Sequence, residues 1–281
     1  MNQPPFDFDY LRGLVRKHSA VILEPDKDYL ANLHLEPLAR LAGFDSIASL
    51  VKHLKIKPVS DLHISAIEAL ITNETSFFRD KQPFETLKSL VLPTLIQERN
   101  NVRTLNIWCA ACSSGQEPYS IAMLIREQFP ILRNWQIRIL ASDISNKILT
   151  RGRSGYYSSL EINRGLPVAL RDRYFHRQGR GWLIDNEIRQ MVEFFQMNLI
   201  HPWTSLPQLD IIFLRNVLIY FGTETKQEIL SKVRRQLKSD GYLFLGSGET
   251  TIHLDPMFES VCENRSLYHR LRDAKETKLI L

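Results

Sequence analysis

An α/β fold is predicted by two features of the chain: a largely parallel sheet, with an all-α segment ahead of it and a small antiparallel insert. Strand-like and helix-like runs alternate from residue 105 to residue 246, as in a parallel sheet flanked by helices. The stretch Leu105 to Ile125, LNIWCAACSSGQEPYSIAMLI, reads as an apolar strand, a turn of small residues with one glycine, and an amphipathic helix. Further on, IRIL runs into Ala141-Ser142-Asp143, so the next strand closes on an acid. Strand, small turn, helix and acid-terminated strand form the core of a nucleoside-binding α/β domain. The turn lets a ligand approach the backbone, and the acid accepts hydrogen bonds from ribose hydroxyls.

The elements follow in order. Residues 6–71 read as helical throughout, with Phe6, Tyr10, Leu11, Leu14 and Val15 on one stripe. Asp26 can cap a second helix carrying Tyr29, Leu30, Leu33 and Leu38, and Gly43 stops it. Asp45 or Ser46 starts a third, Pro58 breaks it, and Ser60 or Asp61 opens a fourth through Leu70. Residues 1–72 are thus expected to form an all-α domain, and 73–102 a linker with a connecting helix from Pro83 to Arg99. The main domain is expected over 103–281. Its strands are placed at 105–110, 136–142, 192–197, 210–215 and 242–246, and its helices at 117–129, 144–151 and 223–238. Gly179 and Gly181 between two β-like runs signal a hairpin, which places the antiparallel insert at 174–198. Phe258 to Arg270 reads as two closing strands around Asn264-Arg265.

Composition narrows the function classes. The 281 residues are 44% apolar and 24% charged, an ordinary globular balance that argues against disorder. No apolar run reaches the roughly 18–20 residues of a transmembrane helix, and MNQPPFDFDY has no signal-peptide pattern. A cytoplasmic, monomeric protein without membrane insertion is expected. The net charge is +5 and the pI about 9.1, with no basic run that would favour nucleic acid as a partner. Cys109 and Cys112 form a C-x-x-C. The second pair of ligands a zinc site requires is missing, and Cys109 ends a strand where a redox pair would open a helix. The pair reads as small buried residues lining the turn, and no metal site is expected.

The turn also restricts the cofactor. A dinucleotide needs G-x-G-x-x-G to seat its pyrophosphate on backbone N–H groups, whereas Ala110-Ala111-Cys112-Ser113-Ser114-Gly115 has one glycine. A P-loop G-K-[ST] is likewise missing. A phosphate-free nucleoside cofactor relaxes that need. S-adenosylmethionine, with its cationic sulfonium and α-amino group, calls for acids nearby, and Glu117 and Asp143 stand at the two expected places.

TNETSFFRD (72–80), WCAACSSGQEPYSIA (108–122), ASDIS (141–145), QMNL (196–199), FLRNVLIYF (213–221) and DGYLFLGSGE (240–249) occur in one order along the chain. In these motifs the sequence resembles the CheR family of chemotaxis-receptor protein-glutamate O-methyltransferases. The resemblance implies a Rossmann-like S-adenosylmethionine methyltransferase sheet with an inserted β-subdomain, S-adenosylhomocysteine as product, and the cytoplasmic helical domain of chemoreceptors as partner. In some members the β-subdomain also docks a receptor tail peptide. Residue by residue, the resemblance implies cofactor contacts from Asn73, Thr75, Arg79, Glu117, Asp143, Asn198, Leu199, Arg215 and Asn216. It places Arg79, Arg215 and Tyr220 nearest the transferred methyl. In the family a basic helix face meets the acidic substrate, whereas Tyr29 to Gly43 here holds one arginine, Arg40.

A glutamate is already ionised at neutral pH, its ordinary pKa being about 4.3, so no general base is called for. The chemistry is an in-line displacement in which alignment and exclusion of water supply most of the rate. Arg79 or Arg215 is expected to fork the substrate carboxylate. Two alternatives stand beside this reading. One is an S-adenosylmethionine methyltransferase acting on another protein, a nucleic acid or a small molecule; an enzyme methylating nucleic-acid amino groups would carry an N/D-P-P-Y/F motif where Arg215-Asn216-Val217-Leu218 stands. A non-catalytic binding module would have lost Arg79, Arg215 or Tyr220.

Overall fold

The computed structural model describes residues 7–24, 28–203, 206–263 and 266–272, with backbone alone for residues 28–31, 263 and 266. The expected Asp26 cap, the Phe6 contribution to the first stripe and the turn at Asn264-Arg265 lie outside the described residues, as do the side chains of Tyr29 and Leu30. The chain divides into two units, one running to Asn73 and including Tyr220–Thr225, the other holding Glu74–Ile219 and the residues from Lys226 on.

The first unit is helical: α1 Phe8–Ser19, α2 Asp28–Leu41, α3 Ile47–Ile56 and α4 Asp61–Leu70. Asp7 caps α1 by accepting from the Tyr10 N–H at 2.9 Å, and Ser46 caps α3 by accepting from the Ser49 N–H at 3.1 Å. Ser60 precedes α4 and shares a capping box with His63. The apolar stripes meet in one core of Phe8, Leu11, Leu35, Ala39, Leu50, Val51, Leu54 and Ala66. Tyr220 joins this unit through its carbonyl, which accepts from the Ile22 N–H at 2.8 Å.

The second unit opens with α5 Gln82–Thr86 and α6 Leu92–Glu98. The single helix expected over 83–99 is interrupted by a π turn at Leu87–Val91. Pro93 is the cause: it has no N–H to give and its ring excludes the carbonyl four residues back, so the preceding turn widens. Then come β1 Thr104–Ala110, α7 Gln116–Gln128, β2 Gln136–Asp143, α8 Asn146–Ser154, β3 Tyr156–Ser158, α9 Ser159–Asn163, α10 Val168–Tyr174, β4 Phe175–Gln178, β5 Gly181–Ile184, α11 Asn186–Arg189, β6 Val192–Gln196, β7 Leu209–Leu214, α12 Thr223–Gln236, β8 Leu237–Leu245, β9 Phe258–Glu263 and β10 Ser266–Leu271.

Seven strands form the main sheet in the order β6-β2-β1-β7-β8-β10-β9. The first five are parallel, and β10 is antiparallel to both β8 and β9. The other three make an antiparallel sheet, β3-β5-β4. The insert is therefore not 174–198. It takes in Tyr156–Ser158, a strand too short to show alternation, and it ends before Val192–Gln196. That segment pairs in parallel with β2, matching Ala141 to Phe194 and Asp143 to Gln196. The hairpin between β4 and β5 turns at Gly179, as its glycines predict.

The main core lies on one face of the parallel strands, where Ile107, Cys109, Ile139, Ala141, Ile211 and Phe213 stand in register, and it takes in Phe77 of the 74–81 segment, which is fully buried; Trp108, Leu140 and Ile212 are buried on the other face. Its ring meets Tyr157 and Phe175 edge to face at 5.1 and 5.6 Å. Phe77 thereby anchors the segment to the core, and Phe78 packs beside it against Phe84 at 5.1 Å. Phe77→Ala should lower the unfolding free energy by about 3–5 kcal/mol, seen as a lower urea midpoint; a midpoint within error of wild type would contradict this anchoring role.

Candidate active site

The parallel strands bring their carboxyl ends to one edge, and strand order reverses between β1 and β7, where open α/β sheets form a crevice. The turn after β1 is tight. Ala111 and Ser113 have φ of 53° and 50°, and Gly115 has φ of 91°. A Cβ on Gly115 would lie 2.9 Å from the Phe194 ring, so glycine is required there both for its backbone angle and for space. The turn is tied to the end of β2: the Cys112 N–H donates to Ser142 O at 2.9 Å and the Ser113 N–H to Asp143 Oδ2 at 2.9 Å.

Asp143 is 6% exposed. Its Oδ1 accepts from the Ser145 N–H at 3.0 Å and its carbonyl from the Met197 N–H at 3.0 Å. It thus fixes the turn, the start of the next helix and the segment after β6 together. Asn198 Oδ1 accepts from the Ile200 N–H at 3.2 Å. The carbonyl of buried Leu199 accepts from Trp203 Nε1 and from Lys232 Nζ, and Lys232 also bonds the carbonyls of Ile200 and His201 at 2.8 and 3.0 Å. Trp203 in turn meets Trp108 edge to face at 4.8 Å, and Trp108 Nε1 donates to Ser142 Oγ. The residues expected on the nucleoside side are so brought beside the end of β2.

On the β7 side the centre is Arg215, the residue after the strand, whose side chain is 2% exposed. Nη1 donates to Glu117 Oε2 at 2.7 Å, and Nη2 to Asp80 Oδ2 at 2.7 Å and to Arg79 O at 3.0 Å. Nε is buried and, among the described residues, has no hydrogen-bond partner. Burial pushes the Glu117 carboxyl above its ordinary pKa, against the opposing pull of Arg215 and Arg79. Asp80 lies in a backbone stretch of unusual conformation: Phe78, Asp80 and Lys81 have φ of 48°, 66° and 43°. Such residues are strained, and they persist where neighbours fix them. Here the neighbours are Arg215 on Asp80, Ser120 Oγ accepting from the Phe78 N–H at 3.0 Å, and buried Phe77.

Arg79 donates one terminal nitrogen to Glu74 O at 3.0 Å and is half-buried, as is Thr75. Asn216 has φ of 57°, and its N–H donates to Glu249 Oε2 at 2.7 Å. Asn73 and Tyr220 belong to the first unit, where Asn73 Nδ2 donates to Ile71 O at 3.2 Å. Cys109 and Cys112 are buried, and burial pushes both thiols well above their ordinary range, away from the reactive thiolate.

Sequence reading missed three residues that hold the site's loops: Asp80, Lys232 and Glu249. The first reads as a surface partner of Arg79, and the second as one more cation on an amphipathic helix. Glu249 ends the motif DGYLFLGSGE, the one sequence signal that marks it.

Residues 73–266 match the family described as CheR methyltransferase, SAM binding domain. A chemotaxis protein methyltransferase of Pseudomonas putida is 40% identical over 266 residues, covering 93% of this chain and 96% of that one. Chemotaxis protein methyltransferase 1 of Pseudomonas aeruginosa is 38% identical over 271 residues, with 95% and 98% covered. Its namesake in Vibrio cholerae is 36% identical over 268 residues, with 94% and 96% covered.

The Glu117 environment has a measurable sign. A carboxyl whose folded pKa lies above its unfolded value binds more protons folded than unfolded, so its contribution to stability falls as pH rises through that interval. The interval begins at the ordinary 4.5 and extends upward. Between thermal melts taken at successive pH values there, wild type should lose stability relative to Glu117→Gln as pH rises; parallel curves would remove the burial argument.

Proposed function

The chain belongs to the CheR methyltransferase family, and on that premise we propose that it methylates glutamate side chains in the cytoplasmic helical domain of chemoreceptors. It is an S-adenosylmethionine-dependent methyltransferase; the methyl-ester product and the receptor substrate are the proposal. One observation carries the reading: a buried arginine held between Glu117 and Asp80 at the crevice of the sheet, with Asp143 at the end of β2 on the far side of β1.

The donor set suits this cofactor. Acids suit a cationic ligand, and the orphaned Arg215 Nε–H suits an acceptor such as a carboxylate. When bound, S-adenosylmethionine supplies a methyl group made electrophilic by the sulfonium. Glu117 would hold the amino end and Asp143 the ribose hydroxyls, with Asn198 and Leu199 beside the adenine. The roles of Asn73, Thr75, Arg79, Arg215 and Asn216 in binding, and of Tyr220 beside the methyl, rest on the family resemblance. The substrate glutamate needs aiming rather than deprotonation. Both terminal nitrogens of Arg215 are committed within the protein, whereas Arg79 spends one on a carbonyl. Arg79 is therefore the arginine proposed to orient the substrate carboxylate. The proposed place of work is the cytoplasm; among the described residues no helix is long and apolar enough to cross a membrane.

The test is to incubate the protein with labelled S-adenosylmethionine and a chemoreceptor cytoplasmic fragment. Label should appear on glutamate and leave in mild base. Label that withstands base would replace the ester reading by N- or C-methylation, and cofactor binding without transfer would favour a binding module. Arg79→Ala should cut transfer by about 10²-fold or more, the scale of a misaligned reactant. Wild-type turnover by that variant would remove Arg79 from its role.

A further inference from the structure

The Glu249 carboxylate accepts from four backbone N–H groups. Oε2 takes Asn216 N at 2.7 Å and Gly246 N at 2.6 Å; Oε1 takes Val217 N at 2.9 Å and Ile219 N at 3.3 Å. Four donors use the four lone-pair sites of a carboxylate. Three of them come from the turn that leaves β7, and that turn begins at Arg215. Successive N–H groups next to a left-handed residue make a concavity that binds anions. Here Asn216 supplies the left-handed residue and the chain's own carboxylate fills the concavity.

The neighbourhood is built around this contact. A Cβ on Gly246 would lie 2.7 Å from Glu249 Oε2, 2.7 Å from Asn216 Nδ2 and 2.9 Å from Asn216 N. Glycine is thus required where β8 passes the carboxylate. Glu249 is half-buried, not sunk in the apolar core. It touches the backbone that aims Arg215 rather than Arg215 itself.

We infer that Glu249 is a positioning residue of the methyl-transfer site: by gathering the N–H groups of the 216–219 turn it holds Arg215 in register with Glu117 and Asp80. The inference rests on the reading of this crevice as the S-adenosylmethionine site. Without Glu249 the turn loses the carboxylate that gathers its N–H groups around left-handed Asn216, a conformation that a non-glycine residue adopts at a cost. Arg215 would then leave its two carboxylates, and the cofactor's amino end would lose its acid in place.

The experiment measures S-adenosylhomocysteine binding by calorimetry on the full chain, below the melting temperature of every variant. Glu249→Ala should weaken binding about tenfold or more, and Arg215→Met should do the same. If Glu249 acts through Arg215, the double variant binds no worse than Arg215→Met alone. Gly246→Ala, which keeps the carboxylate but displaces it, should reproduce the Glu249→Ala loss in a chain that retains every charge. It also stands in should Glu249→Ala fail to fold. Folded Glu249→Ala or Gly246→Ala with wild-type affinity, or losses that multiply in the double variant, would overturn the inference and leave the cofactor reading intact. A wild type that does not bind S-adenosylhomocysteine would overturn both.

Discussion

Arg215 is the contact on which the site depends. It joins three parts of the chain far apart in sequence: the end of β7, the start of α7 through Glu117, and the 74–81 segment through Asp80 and the Arg79 carbonyl. A buried guanidinium is costly to desolvate, and two carboxylates with a carbonyl offset that cost only while the geometry is kept. The same contact holds a stretch containing three non-glycine residues at positive φ, which relaxed chain would not adopt. A site built on such a pair is specified sharply, because removing one member leaves a buried charge without compensation.

The other half of the crevice is organised by backbone. One glycine suffices in the turn after β1 because the turn has no pyrophosphate to cradle. Asp143 and the Ser142 carbonyl engage the N–H groups of Ser113 and Cys112, so the turn is set by the end of β2. The Asp143 carboxylate orders both the turn and the start of the next helix.

Much of this was legible in the sequence, and the exceptions have physical causes. The parallel strands were readable because each is a short apolar run between helical segments. Glu117 and Asp143 stand out because a strand-turn-helix with a terminal acid constrains residue type by position, whereas Arg79, Arg215 and Asn216 enter through the family resemblance. What stayed hidden was long-range. The π turn at Leu87–Val91 follows from Pro93, yet a helical pattern with a proline can also end or kink. Strand β3 exists because β5 is there to pair with it, so its three residues carry no pattern of their own. Strand β6 reads as either sheet's strand until its pairing with β2 is seen. Glu249 gathers amides from a turn about thirty residues away, a separation no local propensity encodes.

The shape of the Arg215 fork, and not merely its charge, joins the end of β7, the start of α7 and the 74–81 segment. Lysine keeps the charge but cannot donate to Glu117, Asp80 and the Arg79 carbonyl in one planar arrangement. The direct measurement is the calorimetric affinity of Arg215→Lys for S-adenosylhomocysteine beside wild type. Folded Arg215→Lys should bind more weakly by about tenfold or more; an affinity equal to that of wild type would contradict this and mean that the charge alone suffices.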